Sequence, residues 1–195
     1  MHGFDSLCDA LAGVLTYPGR DYAERVLRFR DLAAIETPAA VEEAETFMSN
    51  IEGKSLSELE ELYIKTFDLN PLCSLDTGWQ LFGEEYHRGL YMVRMREEMR
   101  KHGIPETSEL PDHLTNVFPV LGRMTEEDAI SFAVCCVIPA VNKVLEAVKQ
   151  DNPYRPLVQG MVNLLDARYG QYVEEAVEES PIYSTVFASE EANHE

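Results

Sequence analysis

Apolar residues recur at three- and four-residue intervals along most of the chain, and that spacing predicts a succession of amphipathic helices. From about Gly3 to Thr16, Phe4, Leu7, Cys8, Leu11, Val14 and Leu15 share one face, until Tyr17-Pro18-Gly19 breaks the run. A second helix, about Asp21 to Ile35, turns Tyr22, Val26, Phe29 and Ile35 inward. Thr37-Pro38 reads as an N-cap followed by a first-turn proline. It opens a third helix to about Ile51, with Val41, Ala44, Phe47, Met48 and Ile51 inside. Ser55 to Glu58 matches a capping box, in which hydroxyl and carboxylate each satisfy a free backbone N–H. The fourth helix then runs from Leu56 to about Phe67 and carries Leu59, Leu62, Tyr63 and Phe67.

The period fails between Asp68 and Gly83. That stretch holds Leu69, Leu72, Leu75, Trp79, Leu81 and Phe82, too much apolar weight for disorder. A long irregular loop inside a compact helical domain marks function. The rhythm returns in a fifth helix, about Glu84 to His102, with Tyr86, Leu90, Val93 and Met99 near one stripe and Tyr91, Met92 and Met95 broadening it. Gly103 closes it as a C-cap.

Thr107 or Ser108 is placed to cap a sixth helix, Leu110 to Gly122, which Pro119 kinks or shortens. A seventh starts at a capping-box-like Thr125 to Asp128 and reaches about Gln150. Its stretch from Ile130 to Val141 is apolar all round, as in a buried central helix, and Pro139 bends it. Asp151-Asn152-Pro153 ends it and caps an eighth, about Tyr154 to Glu178, with Leu157, Met161, Leu164, Leu165, Tyr169 and Tyr172 inside. No run alternates with period two long enough for a sheet. The expected fold class is all-α: one domain over residues 1–180, about eight helices with an irregular connector at 68–83, then an acidic, weakly ordered tail at 181–195.

Charge narrows the partners. The 195 residues carry 35 acidic against 16 basic groups, a formal −19. Nucleic acid needs clustered Lys and Arg, and an anionic membrane surface repels such a chain. A basic partner suits it. The four cysteines lack the spacing of a disulfide framework or a zinc finger. Met1 to Leu15 lacks the basic segment of a signal peptide, and no window approaches the ~20 uninterrupted apolar residues of a membrane span. The expectation is a cytoplasmic chain without membrane insertion.

Catalytic motifs are not found. There is no phosphate-cradling glycine loop, no GxSxG and no HExxH. His87, His102 and His113 have no ligand-spaced partner, so no metal is expected. Cys73 lies among acids that oppose a thiolate. Within Glu109-Leu110-Pro111-Asp112-His113-Leu114, a helix start explains the acids and the proline, but not the imidazole.

Read in order, Tyr63-x-x-Thr66-Phe67-Asp68, Cys73-Ser74-Leu75, Phe82-Gly83-Glu84, Arg88-Gly89, Met92 and Glu109-Leu110-Pro111-Asp112-His113-Leu114 resemble the redox-enzyme maturation chaperones of the NarJ/TorD/DmsD superfamily. The NarJ branch, the nitrate reductase molybdenum cofactor assembly chaperones, is most similar. Asp76 to Gln80 departs from that branch and leaves the client open. The resemblance implies a non-catalytic cytoplasmic chaperone in nitrate assimilation or related metabolism. It would bind the N-terminal segment of a molybdoenzyme catalytic subunit while molybdopterin guanine dinucleotide is inserted. It would hold no cofactor tightly itself and would be a monomer or weak homodimer.

On that basis Asp68, Trp79, Leu81, Phe82, Tyr86, Glu109, Asp112 and His113 are the expected client-peptide site. The apolar members act as anchors, and the acids meet a basic leader. Tyr63, Thr66, Phe67, Ser74, Gly83, Arg88, Gly89, Leu110, Pro111 and Leu114 are expected to carry structure, with Arg88 pairing to Asp68 or Asp76. A client-site groove requires Asp68 and Asp112 on the same side of the molecule. Two other classes stand beside this reading: a nucleotide-binding helical protein and a self-assembling helical scaffold.

Overall fold

The computed structural model describes residues 2–173. Among these, the chain is all-helical, and no strand forms beyond one isolated bridge between Asp76 and His113. Ten α-helices follow one another: α1 His2–Leu15, α2 Tyr22–Ala33, α3 Pro38–Ile51, α4 Leu56–Tyr63, α5 Thr77–Phe82, α6 Tyr86–Lys101, α7 Leu114–Arg123, α8 Glu126–Phe132, α9 Ile138–Ala147 and α10 Arg155–Tyr169. The predicted tail at 181–195 and the last residues of the predicted eighth helix lie outside the described residues.

The order of packing follows the apolar faces. α1 lies between α2 and α7, α3 joins α2 to α10, and α10 rests on α9. One continuous core results, with Tyr22, Phe29, Phe47, Phe118, Phe132 and Tyr154 fully buried. Two helices contain π turns, Ile64–Asp68 at the end of α4 and Ala133–Val137 between α8 and α9. The predicted fourth helix is therefore continuous through Phe67, but its last turn is widened. The predicted seventh helix is likewise one rod from Glu126 to Ala147. It is long and apolar enough to cross a membrane by length and composition, and 56% of its most apolar window is buried in the fold. Its π turn lies just before Pro139, which has no N–H to give the regular ladder.

The caps hold where the chemistry is local. Ser55 and Glu58 form the reciprocal capping box, and Thr125 accepts from the Asp128 amide. At the end of α6, Gly103 takes a φ of +67°, and the Ile104 amide reaches Met99 O at 2.8 Å. This is the bonding of a glycine-closed helix end.

Four expectations fail. Ile35 is 73% exposed, because α2 ends at Ala33 before that residue can turn inward. The buried face of α6 is Tyr91, Met95 and Met99, while Tyr86 and Val93 point to solvent. α7 starts four residues later than expected, capped by His113 instead of Thr107 or Ser108. The 68–83 connector is only partly irregular, since it holds a 3₁₀ turn at Pro71–Cys73 and the short α5.

Candidate functional site

The connector folds back on the entry to α7. The Thr77 amide and hydroxyl both donate to the Asp112 carbonyl, at 2.8 and 2.9 Å, and the Leu114 amide donates to Leu75 O at 2.9 Å. Two sequence-distant turns are thereby pinned side by side, and α5 is laid against α6 and α9.

A charged knot lies under this junction. Arg88, from the first turn of α6, reaches Asp112 Oδ2 with Nε at 3.0 Å and Asp76 Oδ2 with Nη2 at 3.0 Å. Asp76 is therefore the expected partner of Arg88, and Asp68 is not. Asp112 is fully buried, and burial raises its pKa despite the guanidinium. α5 can lie this close only because residue 78 is glycine. A Cβ there would stand 2.7 Å from Asp112 Oδ2 and 2.9 Å from Tyr91 Cδ1. Tyr91 in turn shares a 3.0 Å hydrogen bond with Thr77 Oγ1.

His113 is the centre of the site. Its Nδ1 accepts from the Thr115 amide and pairs with the Thr115 hydroxyl at 2.8 Å, which caps α7. Burial lowers its pKa, opposed by the carboxylates of Glu109, Asp76, Asp112 and Asp68 in that order. Asp68 and Asp112 therefore both act on the same imidazole. Burial raises the Asp68 pKa, and Glu109 adds to the rise.

The apolar border differs from the expected one. Trp79 is half-buried, with Nε1 donating to Pro71 O at 2.8 Å and the Arg88 guanidinium over its ring at 5.5 Å. Phe82 is buried against Tyr91, and Leu81 packs against the core, so neither is a free anchor. Tyr86 lies roughly 160° around α6 from Arg88, at about 100° per residue, and so faces away from the knot. The side chains available instead are Leu69, Leu72 and Leu110, exposed by 72%, 70% and 48%. Leu69 and Leu110 adjoin Asp68 and Glu109 in the chain, and Leu72 follows Pro71, whose carbonyl takes the Trp79 N–H. Leu69 and Leu72 entered the sequence reading only as apolar weight against disorder, and Leu110 as a residue carrying structure; the adjacent acids Asp68 and Glu109 are the signal that Leu69 and Leu110 stay at the surface.

The remaining motif residues hold the frame. Tyr63 donates to Leu15 O at 2.8 Å, Phe67 packs on Tyr63 and Tyr154, and Thr66 accepts from Asn152 at 3.0 Å. Asn152 also accepts from the Tyr154 amide at the start of α10, so the π turn is tied to that helix. Ser74 Oγ accepts from the Asp76 amide, and Gly83 ends α5 with φ at +61°. Pro111 and Leu114 are buried. Gly89 meets nothing. Among the described residues, no group of three or more His, Cys, Asp or Glu side chains is arranged to hold a metal ion.

No curated protein matches the chain. The family model for the nitrate reductase delta subunit matches residues 31–151, which take in the connector, the Arg88 knot and the capping histidine. With more than half its length matched, the chain belongs to the nitrate reductase delta subunit family, part of the TorD/NarJ chaperone superfamily.

Proposed function

We propose that the protein is a non-catalytic, client-specific assembly chaperone. It binds the N-terminal segment of a nitrate reductase-like catalytic subunit in the cytoplasm. It holds that segment while molybdopterin guanine dinucleotide is inserted, before membrane attachment or export. The reading is supported by the junction of the connector with the entry to α7, where Thr77 and Leu114 pin the two turns together and the charges of Asp68, Asp76, Glu109 and Asp112 act on the buried His113, with Leu69, Leu72 and Leu110 exposed in the same two segments. Such a surface suits a segment that alternates basic and apolar residues. Leucines and Trp79 take the apolar side chains, and Asp68 and Glu109, both exposed, meet the cations. Asp76 and Asp112 are already committed to Arg88 and serve as its frame.

Trp79 is the only tryptophan and sits in the border, so its emission reports occupancy directly. Titrating the client's N-terminal peptide should shift that emission saturably. Affinity should fall about tenfold for Asp68→Asn combined with Glu109→Gln, and should weaken with added salt. An unshifted emission, with no heat of binding by calorimetry, would remove the reading.

A further inference from the structure

Gln80 has no part in the client reading, yet its side chain holds the border of that site. Nε2 donates to Leu72 O at 3.1 Å and to Ser74 O at 2.9 Å. Both neighbours are carbonyl oxygens, so only an amide nitrogen, with its two hydrogens, satisfies them. Trp79, one residue earlier, gives Nε1 to Pro71 O at 2.8 Å. Two side chains of α5 thus hold three carbonyls of the turn at 71–74. The amides of that turn are taken from within: Leu72 N donates to Asn70 Oδ1, Cys73 N to Asn70 O and Ser74 N to Pro71 O. α5 has six residues, too few to stand as a helix alone, and its end is fastened to α9 by Lys143 Nζ, which gives to Gln80 O at 2.7 Å. Out of this clamped turn points Leu72, exposed, while Cys73 beside it is buried.

We infer that Gln80 is a positioning residue for the client site: through the Leu72 and Ser74 carbonyls it fixes the pose in which Leu72 meets the client. This role rests on the client reading and adds how the turn is recognised. A segment that adds to a backbone edge as a strand needs free amides and carbonyls there. No residue of the turn keeps a free amide, and the carbonyls of Pro71, Leu72 and Ser74 are committed. The turn therefore offers the client a side chain and no backbone, and it selects an apolar residue to set against Leu72. A leucine already held in place has less freedom to lose on binding, which strengthens the contact.

Calorimetric titration of the full chain with the N-terminal peptide of the host's nitrate reductase-like catalytic subunit tests it, with urea unfolding measured alongside. Gln80→Met keeps the length and loses the donors. Gln80→Glu keeps the shape, turns the donors into acceptors and adds a negative charge. Each should weaken the peptide about fivefold, the worth of a typical hydrogen bond, although the charge of Gln80→Glu alone would favour a basic peptide. Both should unfold near the wild-type urea midpoint, as changes at a surface turn generally do. Added to Leu72→Ser, Gln80→Met should bring no further loss, since the two act through one side chain. The loss should persist at high salt, unlike that of Asp68→Asn with Glu109→Gln. A wild-type chain that binds no peptide removes the client reading, and this role falls with it. A chain that binds overturns this role alone if Gln80→Glu matches or exceeds wild-type affinity, or if the losses from Gln80→Met and Leu72→Ser add.

Discussion

Gly78 and Asp112 touch so closely that a single added methyl at position 78 would stand 2.7 Å from the buried carboxylate Oδ2. The same oxygen receives Arg88 Nε at 3.0 Å. The position of α5 is therefore set by the salt bridge beneath it. Gly78→Ala should destabilise the fold by about 1–3 kcal/mol, the usual range for overpacking. It should also reduce client-peptide affinity, because α5 carries Trp79. Urea unfolding read alongside peptide titration checks both.

Arg88 neutralises a carboxylate that has no access to water. Arg88→Met should cost about 3 kcal/mol or more, since it leaves a buried charge unpaired. The sign of the pH dependence follows from Asp112, whose folded pKa is raised. The folded state then holds more protons than the unfolded state from about pH 4 up to the folded pKa, so stability falls as pH rises through that window. The deficit of Arg88→Met should accordingly shrink on acidification, and adding Asp112→Asn should recover much of it at pH 7. A deficit that grows in acid would contradict this account.

His113 gives the opposite slope. Its folded pKa is lowered by burial, so the unfolded state takes up more protons below about pH 6.5. Its contribution is complete above that value and is lost as pH falls toward the folded pKa. Protonation at Nδ1 also removes the acceptor that caps α7. His113→Asn keeps a capping side chain and should flatten thermal stability between pH 5 and 7, in about the range where a histidine titrates. His113→Ala should lose about 1 kcal/mol at pH 7, a typical cap contribution.

The exposed leucines separate binding from folding. Leu72→Ser and Leu110→Ser should leave unfolding free energy within about 0.5 kcal/mol, as exposed positions generally do. Each should weaken client-peptide binding several-fold. Equal losses in both measurements would place these side chains in the fold and not in the proposed client site.

The helices were legible in the sequence because their signals are local: the capping box at Ser55, the glycine at Gly103 and the all-round apolar stretch at Ile130–Val141. The ordered motif from Tyr63 to Leu114 identified the family from pieces that are weak singly. The failures were failures of facing. α6 carries apolar residues on two sides, and its core side is chosen by Arg88 reaching for Asp76 and Asp112, a tertiary event that periodicity does not encode. Trp79, Leu81 and Phe82 looked alike in a loop, but the turn of α5 sends Phe82 inward and leaves Trp79 at the surface. Gly78 was passed over because its reason is an oxygen thirty-four positions away.

The π turn at Ile64–Asp68 works as a phase shifter. It accommodates one residue more than a regular turn, and everything beyond it is rotated by that residue's share of the helix, about 100°. Asp68 is the last residue of the turn, so the charge it sets near His113 depends on chain length as well as on side-chain type. Deleting Ile64 or Lys65 would let the segment relax to a regular helix and carry Asp68 away from the imidazole, with the carboxylate itself intact. Relatives that differ by one residue here would therefore present differently placed charge to their clients, a change that no substitution at position 68 can mimic.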